Sequence, residues 1–87
     1  MPISATREML PVIDTEHLDR VTFRDADFRN EVLTLFVRES KVIGERLAAA
    51  TSDEDWRVAA HTLKGMSRGV GAARLAAVAE EAEQLAA

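Results

Sequence analysis

The 87-residue chain is predicted to be an all-α protein, a small antiparallel helical bundle. Three observations carry that expectation. Apolar residues recur at steps of three and four along most of the chain, the helical period, and not at steps of two. Only two prolines and four glycines punctuate it. Apolar residues make up 47% of the chain, much of it alanine, with no tyrosine, which suits packed helices better than a β-sandwich or a disordered tail. A chain this short forms one domain, whose stability is thin because it buries a modest share of its surface.

Taken in order, residues 1–12 are expected to be a short arm with Ile3, Met9 and Leu10 as apolar contacts, ended by Pro11. Asp14 is a suitable N-cap for a short helix at about 15–22, with Leu18 and Val21 facing inward. Asp25 or Asp27 can cap the longest helix, about 26–50. Its positions Phe28, Val32, Leu35, Phe36, Ile43 and Leu47 form an apolar stripe. Leu33, Val37 and Val42 widen the stripe, so this helix is expected to touch neighbours on two sides, and Gly44 is expected to mark a close helix crossing. In "TSDEDW", Thr51 with Glu54, or Ser52 with Asp55, has capping-box spacing, and three acids suit the first turn of a third helix, about 53–69. "GVG" at 69–71 ends it. A last helix at about 72–86 presents Leu75, Val78, Ala79, Ala82, Leu85 and Ala86 at helical spacing.

Composition also excludes classes of function. Without cysteine there are no disulfides, thiolate metal sites or thiol catalysis. No apolar run approaches the roughly 20 residues of a membrane span, and "MPISATREMLP" lacks the basic flank and apolar run of a signal peptide. A cytoplasmic protein is expected. The net charge of −4 argues against nucleic acid as a partner.

The chemistry concentrates in the third helix. Trp56, Ala59, Ala60, Leu63, Met66 and Val70 share one side; Arg57, His61, Lys64, Gly65 and Arg68 share the other. A lone helical histidine is ordinarily a satisfied structural residue, but these neighbours suit something else. An imidazole near neutral pH keeps a nitrogen lone pair and can act as a nucleophile. Gly65, one turn on, leaves room for a close approach. Lys64 supplies a charge that can neutralise a phosphoryl group, and Arg57 and Arg68 extend a basic strip toward an acidic partner. Other chemistries lack parts. No carboxylate lies one turn from His61 on its own face, so no Ser-His-Asp arrangement is visible. "GMSRGVG" lacks the order of a phosphate-cradling loop, and nothing in the spacing joins His17 and His61 in a metal site. His17 is expected to be solvated or packed at a helix junction.

These residues carry a resemblance. "AAHTLKGMSRGVGAARL" resembles the phosphoacceptor helix of the histidine phosphotransfer (HPt) domains of bacterial phosphorelays. Ala60, His61, Leu63, Lys64, Gly65, Ser67, Gly71, Ala72 and Leu75 match the family pattern in order, and Glu83 sits where the family places a late acid. "IDTEHLDRVT" and the long helix with "LTLF" also resemble the family's amino-terminal segments, so 13–87 is expected to be the HPt-like domain. The resemblance implies that His61 is phosphorylated, exchanging the group with aspartates of response-regulator receiver domains or hybrid histidine kinases. Lys64 would stabilise the phosphoryl charge and Gly65 would give the receiver steric access. Ser67 would pack the helix, Gly71 would terminate it and Leu75 would anchor the hairpin. It also implies a carrier and not an enzyme, with no cofactor of its own, the Mg²⁺ belonging to the receiver. Arg57 and Arg68 are partner-binding candidates from the helical face alone.

Members of the family usually carry one more helix after this hairpin, and this sequence stops at Ala87. Helix 72–86 is therefore expected to keep an apolar flank that the amino-terminal segment, a second copy, or further chain of a longer protein would cover; a homodimer through this helix is one such expectation. Two other functional readings remain open at this level. One is a helical adaptor or dimerisation module whose His61 is not phosphorylated. The other is a detached phosphoacceptor domain of a chemotaxis-type histidine kinase.

Overall fold

The computed structural model describes residues 9–85, which form four helices: α1 (Thr15–Val21), α2 (Ala26–Ala49), α3 (Asp53–Val70) and α4 (Ala73–Leu85). Local chemistry sets their starts. The side chain of Asp14 accepts from the His17 N–H at 3.1 Å, Asp25 from Phe28 at 3.0 Å and Ser52 from Asp55 at 3.1 Å. Each satisfies a donor that the first helical turn leaves without an intrahelical partner. Asp25, not Asp27, and Ser52, not Thr51, are the caps.

The α3–α4 turn determines how the later site is built. Gly71 takes a left-handed conformation with φ 82°. The Ala72 N–H donates to the Ser67 carbonyl at 2.8 Å and the Gly71 N–H to Arg68 at 3.3 Å, the paired bonds of a Schellman cap. The Gly71 carbonyl accepts from the Asp14 N–H at 2.7 Å, which fastens the start of α1 to this turn. A Cβ on Gly71 would lie 2.9 Å from the Asp14 carbonyl oxygen and 3.1 Å from the His17 ring. Gly71→Ala is therefore expected to cost about 2 kcal/mol and lower Tm by roughly 10 °C, as read by thermal unfolding. An unchanged Tm would contradict the dual constraint.

α3 lies between α2 and α4, and α1 rests on the carboxyl-terminal end of α3. Ile43, Leu63, Ala59 and Ala79 form the core, with Leu47, Met66 and Leu75 packed on it. Ala60, Ala72 and Ala76 are also buried, so the α3–α4 contact is made largely by small side chains. The extents are 40 × 30 × 13 Å, the last close to the diameter of one helix. The three longer helices thus form a single layer.

That flatness corrects several expectations. Val21, Phe28, Leu35, Val37, Val42, Val78 and Leu85 are all exposed. α2 buries only Ile43 fully, so it does not pack on two sides among the described residues. Gly44 does not mark a close crossing, because a Cβ there would meet nothing within 4 Å. In α4, Ala76 and Ala79 face the core and Val78 and Leu85 do not. Of the proposed arm, Ile3 lies outside the described residues, as does Ala86 of the last helix. Met9 is exposed and Leu10 half-buried, and the Leu10 carbonyl accepts from Nη2 and Nε of Arg74 at 2.9 and 3.2 Å.

Candidate functional site

Because α3 and α4 run antiparallel from the Gly71–Ala72 turn, residues far apart in the sequence meet across the hairpin. His61 and Glu83 are such a pair. The His61 Nδ1–H donates to Glu83 Oε2 at 2.8 Å. Lys64, one turn along α3, donates from Nζ to the other oxygen, Oε1, at 2.5 Å. One carboxylate thus joins the two α3 residues. Side-chain exposure is unequal: 68% for His61, 21% for Glu83 and 16% for Lys64. Histidine presents its ring to solvent while the ion pair beneath it is half-buried.

The electrostatics follow from this arrangement. The hydrogen bond from Lys64 holds the Glu83 carboxyl below the usual carboxylate range; burial opposes the shift, and the His61 hydrogen bond reinforces it. An ionised carboxylate only accepts, so the shared proton belongs to Nδ1. In the neutral ring, Nε2 then carries the lone pair. The site is thus an exposed histidine whose Nδ1 is engaged by a carboxylate and whose Nε2 is left on the open side of the ring.

The backbone carriers are also held. The Trp56 indole N–H donates to the Ala82 carbonyl at 2.5 Å, taking up one of the last α4 carbonyls immediately before Glu83. Ser67 is fully buried and its hydroxyl donates to the Leu63 carbonyl at 2.7 Å, so this small residue lets α3 and its neighbours approach. Gly65 is exposed on the turn after His61, and a Cβ there would meet nothing within 4 Å. The fold itself therefore has no steric need for this glycine.

The structure changes one feature of the expected face. Lys64 and Arg68 do not form an open basic strip: Lys64 is bound to Glu83, and Arg68 Nη2 lies 3.5 Å from Glu80 Oε2. The physical reason is that α4 lays two acids, one turn apart, along the polar side of α3. Arg57 is exposed one turn before His61. His17 belongs to a helix junction, its Nε2 3.1 Å from the Gly69 carbonyl oxygen, and takes no part in the His61 cluster. The carboxylate that bonds His61 was matched in sequence only as a late acid, and its contact with His61 was not foreseen. Among the described residues no group of three or more metal-ligating side chains is arranged to hold an ion, and no helix is long and apolar enough to cross a membrane.

Comparison with curated proteins and with solved structures returned no match. A family model, the Hpt domain, matches residues 31–87, a span that holds His61, Lys64, Gly65, Gly71 and Glu83. With an all-helical fold, a hairpin that exposes a histidine, and this match over more than half its length, the chain belongs to the Hpt domain family, the histidine phosphotransfer domains of two-component phosphorelays.

Proposed function

We propose that the protein is a phosphorelay intermediate that carries a phosphoryl group on Nε2 of His61. Domains of this family exchange phosphoryl groups with receiver domains and kinases; here the donor and acceptor are aspartates of response-regulator receivers. The observation that carries the reading is the Nδ1–Glu83 bond, which leaves the Nε2 lone pair on an exposed ring.

In the forward step, the Nε2 lone pair attacks phosphorus of the receiver's aspartyl phosphate. An N–P bond forms, the P–O bond to aspartate breaks, and the aspartate leaves as carboxylate. No proton needs to move, because Nδ1 already holds its own. The ring becomes a phosphorylated imidazolium, and its new positive charge faces the Glu83 carboxylate. Lys64 keeps that carboxylate ionised and has further N–H donors for the phosphoryl oxygens. Gly65 leaves a gap for the receiver, and Arg57, exposed one turn before His61, faces its acidic surface. In this reading the receiver brings the Mg²⁺ and the catalytic carboxylates, and this chain acts as carrier without a nucleotide site.

The test is transfer from a phosphorylated receiver to wild type and to His61→Gln. Wild type should gain label that is lost in acid and kept in base, and the variant should gain none. Label on the variant, or on neither protein, refutes the carrier reading; binding of receiver without label on either would favour a helical adaptor.

A further inference from the structure

The end of α4 that carries Glu83 is weakly held by packing. From Glu80 to Leu85 no side chain is buried, and Leu85 is 80% exposed. The last buried side chain of α4 is Ala79, one turn before Glu83. Helix ends with few buried apolar contacts open readily. Yet the 2.8 Å bond between Nδ1 of His61 and Oε2 of Glu83 depends on where this turn sits.

Trp56 reaches this turn from α3. Its own backbone is fixed, because it lies in the first turn, which Ser52 caps, and its N–H donates to the Ser52 carbonyl at 3.1 Å. Its indole N–H donates to the Ala82 carbonyl at 2.5 Å. That carbonyl belongs to the peptide unit that joins Ala82 to Glu83. The unit is planar, so holding its oxygen also places the nitrogen and Cα of Glu83.

We propose that Trp56 is a positioning residue for phosphoryl exchange: its indole N–H pins the last turn of α4 and thereby keeps the Glu83 carboxylate on Nδ1 of His61. The inference rests on the carrier reading for its effect on rate, but not for its effect on the ring. When the pin is lost, the end of α4 opens more often, and in the open form Nδ1 has no carboxylate to accept its proton. The proton is then free to sit on Nε2, the nitrogen that attacks. In this role Trp56 acts through Glu83 and not on the phosphoryl group. A tryptophan that merely filled space between the helices would lend stability without any link to the ring's proton.

Two replacements at position 56 test this. Trp56→Phe keeps an aromatic ring and removes the donor. Benzothienylalanine in place of Trp56 keeps the bicyclic shape and puts sulfur where the N–H was. Both should retain the helical circular dichroism spectrum. In ¹⁵N spectra of the His61 ring, recorded without a receiver, the Nε2–H tautomer should gain population in both. Transfer from a phosphorylated receiver should slow about tenfold. In a Glu83→Ala background the same replacements should change the rate by less than about twofold, because the group through which they act is gone. Unchanged tautomer populations would overturn the proposal, and so would a loss of rate that persists in full in the Glu83→Ala background. Loss of the helical spectrum by the benzothienyl chain would also overturn it, by assigning the N–H to the fold. If wild type gains no label, the carrier reading fails, while the ring spectra still decide the role of Trp56.

Discussion

Replacing Glu83 with alanine is expected to slow phosphoryl transfer about 100-fold while the helices stay folded. Glu83 touches both His61 and Lys64, so its loss acts twice. Without an acceptor at Nδ1 the ring is free to place its proton on Nε2, the nitrogen that must attack. The imidazolium formed on phosphorylation also loses the carboxylate facing it. Glu83→Gln separates the two effects, because an amide oxygen can still accept from Nδ1 but carries no charge. The glutamine variant should keep the Nδ1–H tautomer in ¹⁵N spectra of the ring and recover only part of the rate. Wild-type transfer by Glu83→Ala would show that the carboxylate is merely a surface partner of Lys64.

The same residue carries a pH dependence whose sign is determined by its lowered folded-state value. Glu83 binds its proton less readily folded than unfolded, so its contribution to stability is fully present above the usual carboxylate range. That contribution fades as pH falls through the lowered value, where the folded state too becomes protonated. The difference in Tm between wild type and Glu83→Gln should therefore be largest toward neutral pH and close in acid. A difference that grows in acid would mean that Lys64 does not hold the carboxylate in the folded state.

How much of this was legible before the structure depends on the range of the interaction concerned. Caps and turns are local, and Asp14, Ser52 and Gly71 do what their residue types and positions suggested. The two faces of α3 were also legible, since Ala59, Ala60 and Leu63 are buried and His61 is exposed. Burial on α2 and α4 was not. Helical periodicity identifies an apolar face, but it does not say whether a neighbour covers it. Leu35 and Leu85 satisfy the period and remain in solvent because the layer is one helix thick. Lys64 shows the converse: its place on the polar side was read correctly, yet an acid nineteen residues away along the chain draws it into a half-buried ion pair. Only the antiparallel geometry of the hairpin reveals that contact.

Gly65→Leu should separate stability from function in opposite directions. Glycine inside a helix costs about 1 kcal/mol relative to a good helix former such as alanine or leucine. At Gly65 the fold receives no steric return for that cost, since a Cβ there meets nothing within 4 Å. Both Gly65→Ala and Gly65→Leu should therefore raise Tm by roughly 5 °C. Transfer should respond to side-chain size instead. The leucine projects from the turn after His61 into the space through which an aspartyl phosphate must approach Nε2. In-line attack tolerates displacements well under an ångström, so transfer should fall at least about 100-fold. Alanine, with one added carbon, should fall between wild type and leucine. Normal transfer by Gly65→Leu would mean that the receiver does not approach over this turn. A drop in Tm would mean that the glycine serves the fold after all. The expected combination, a more stable protein that no longer exchanges phosphate, identifies a residue retained for a partner's approach and not for the packing of its own chain.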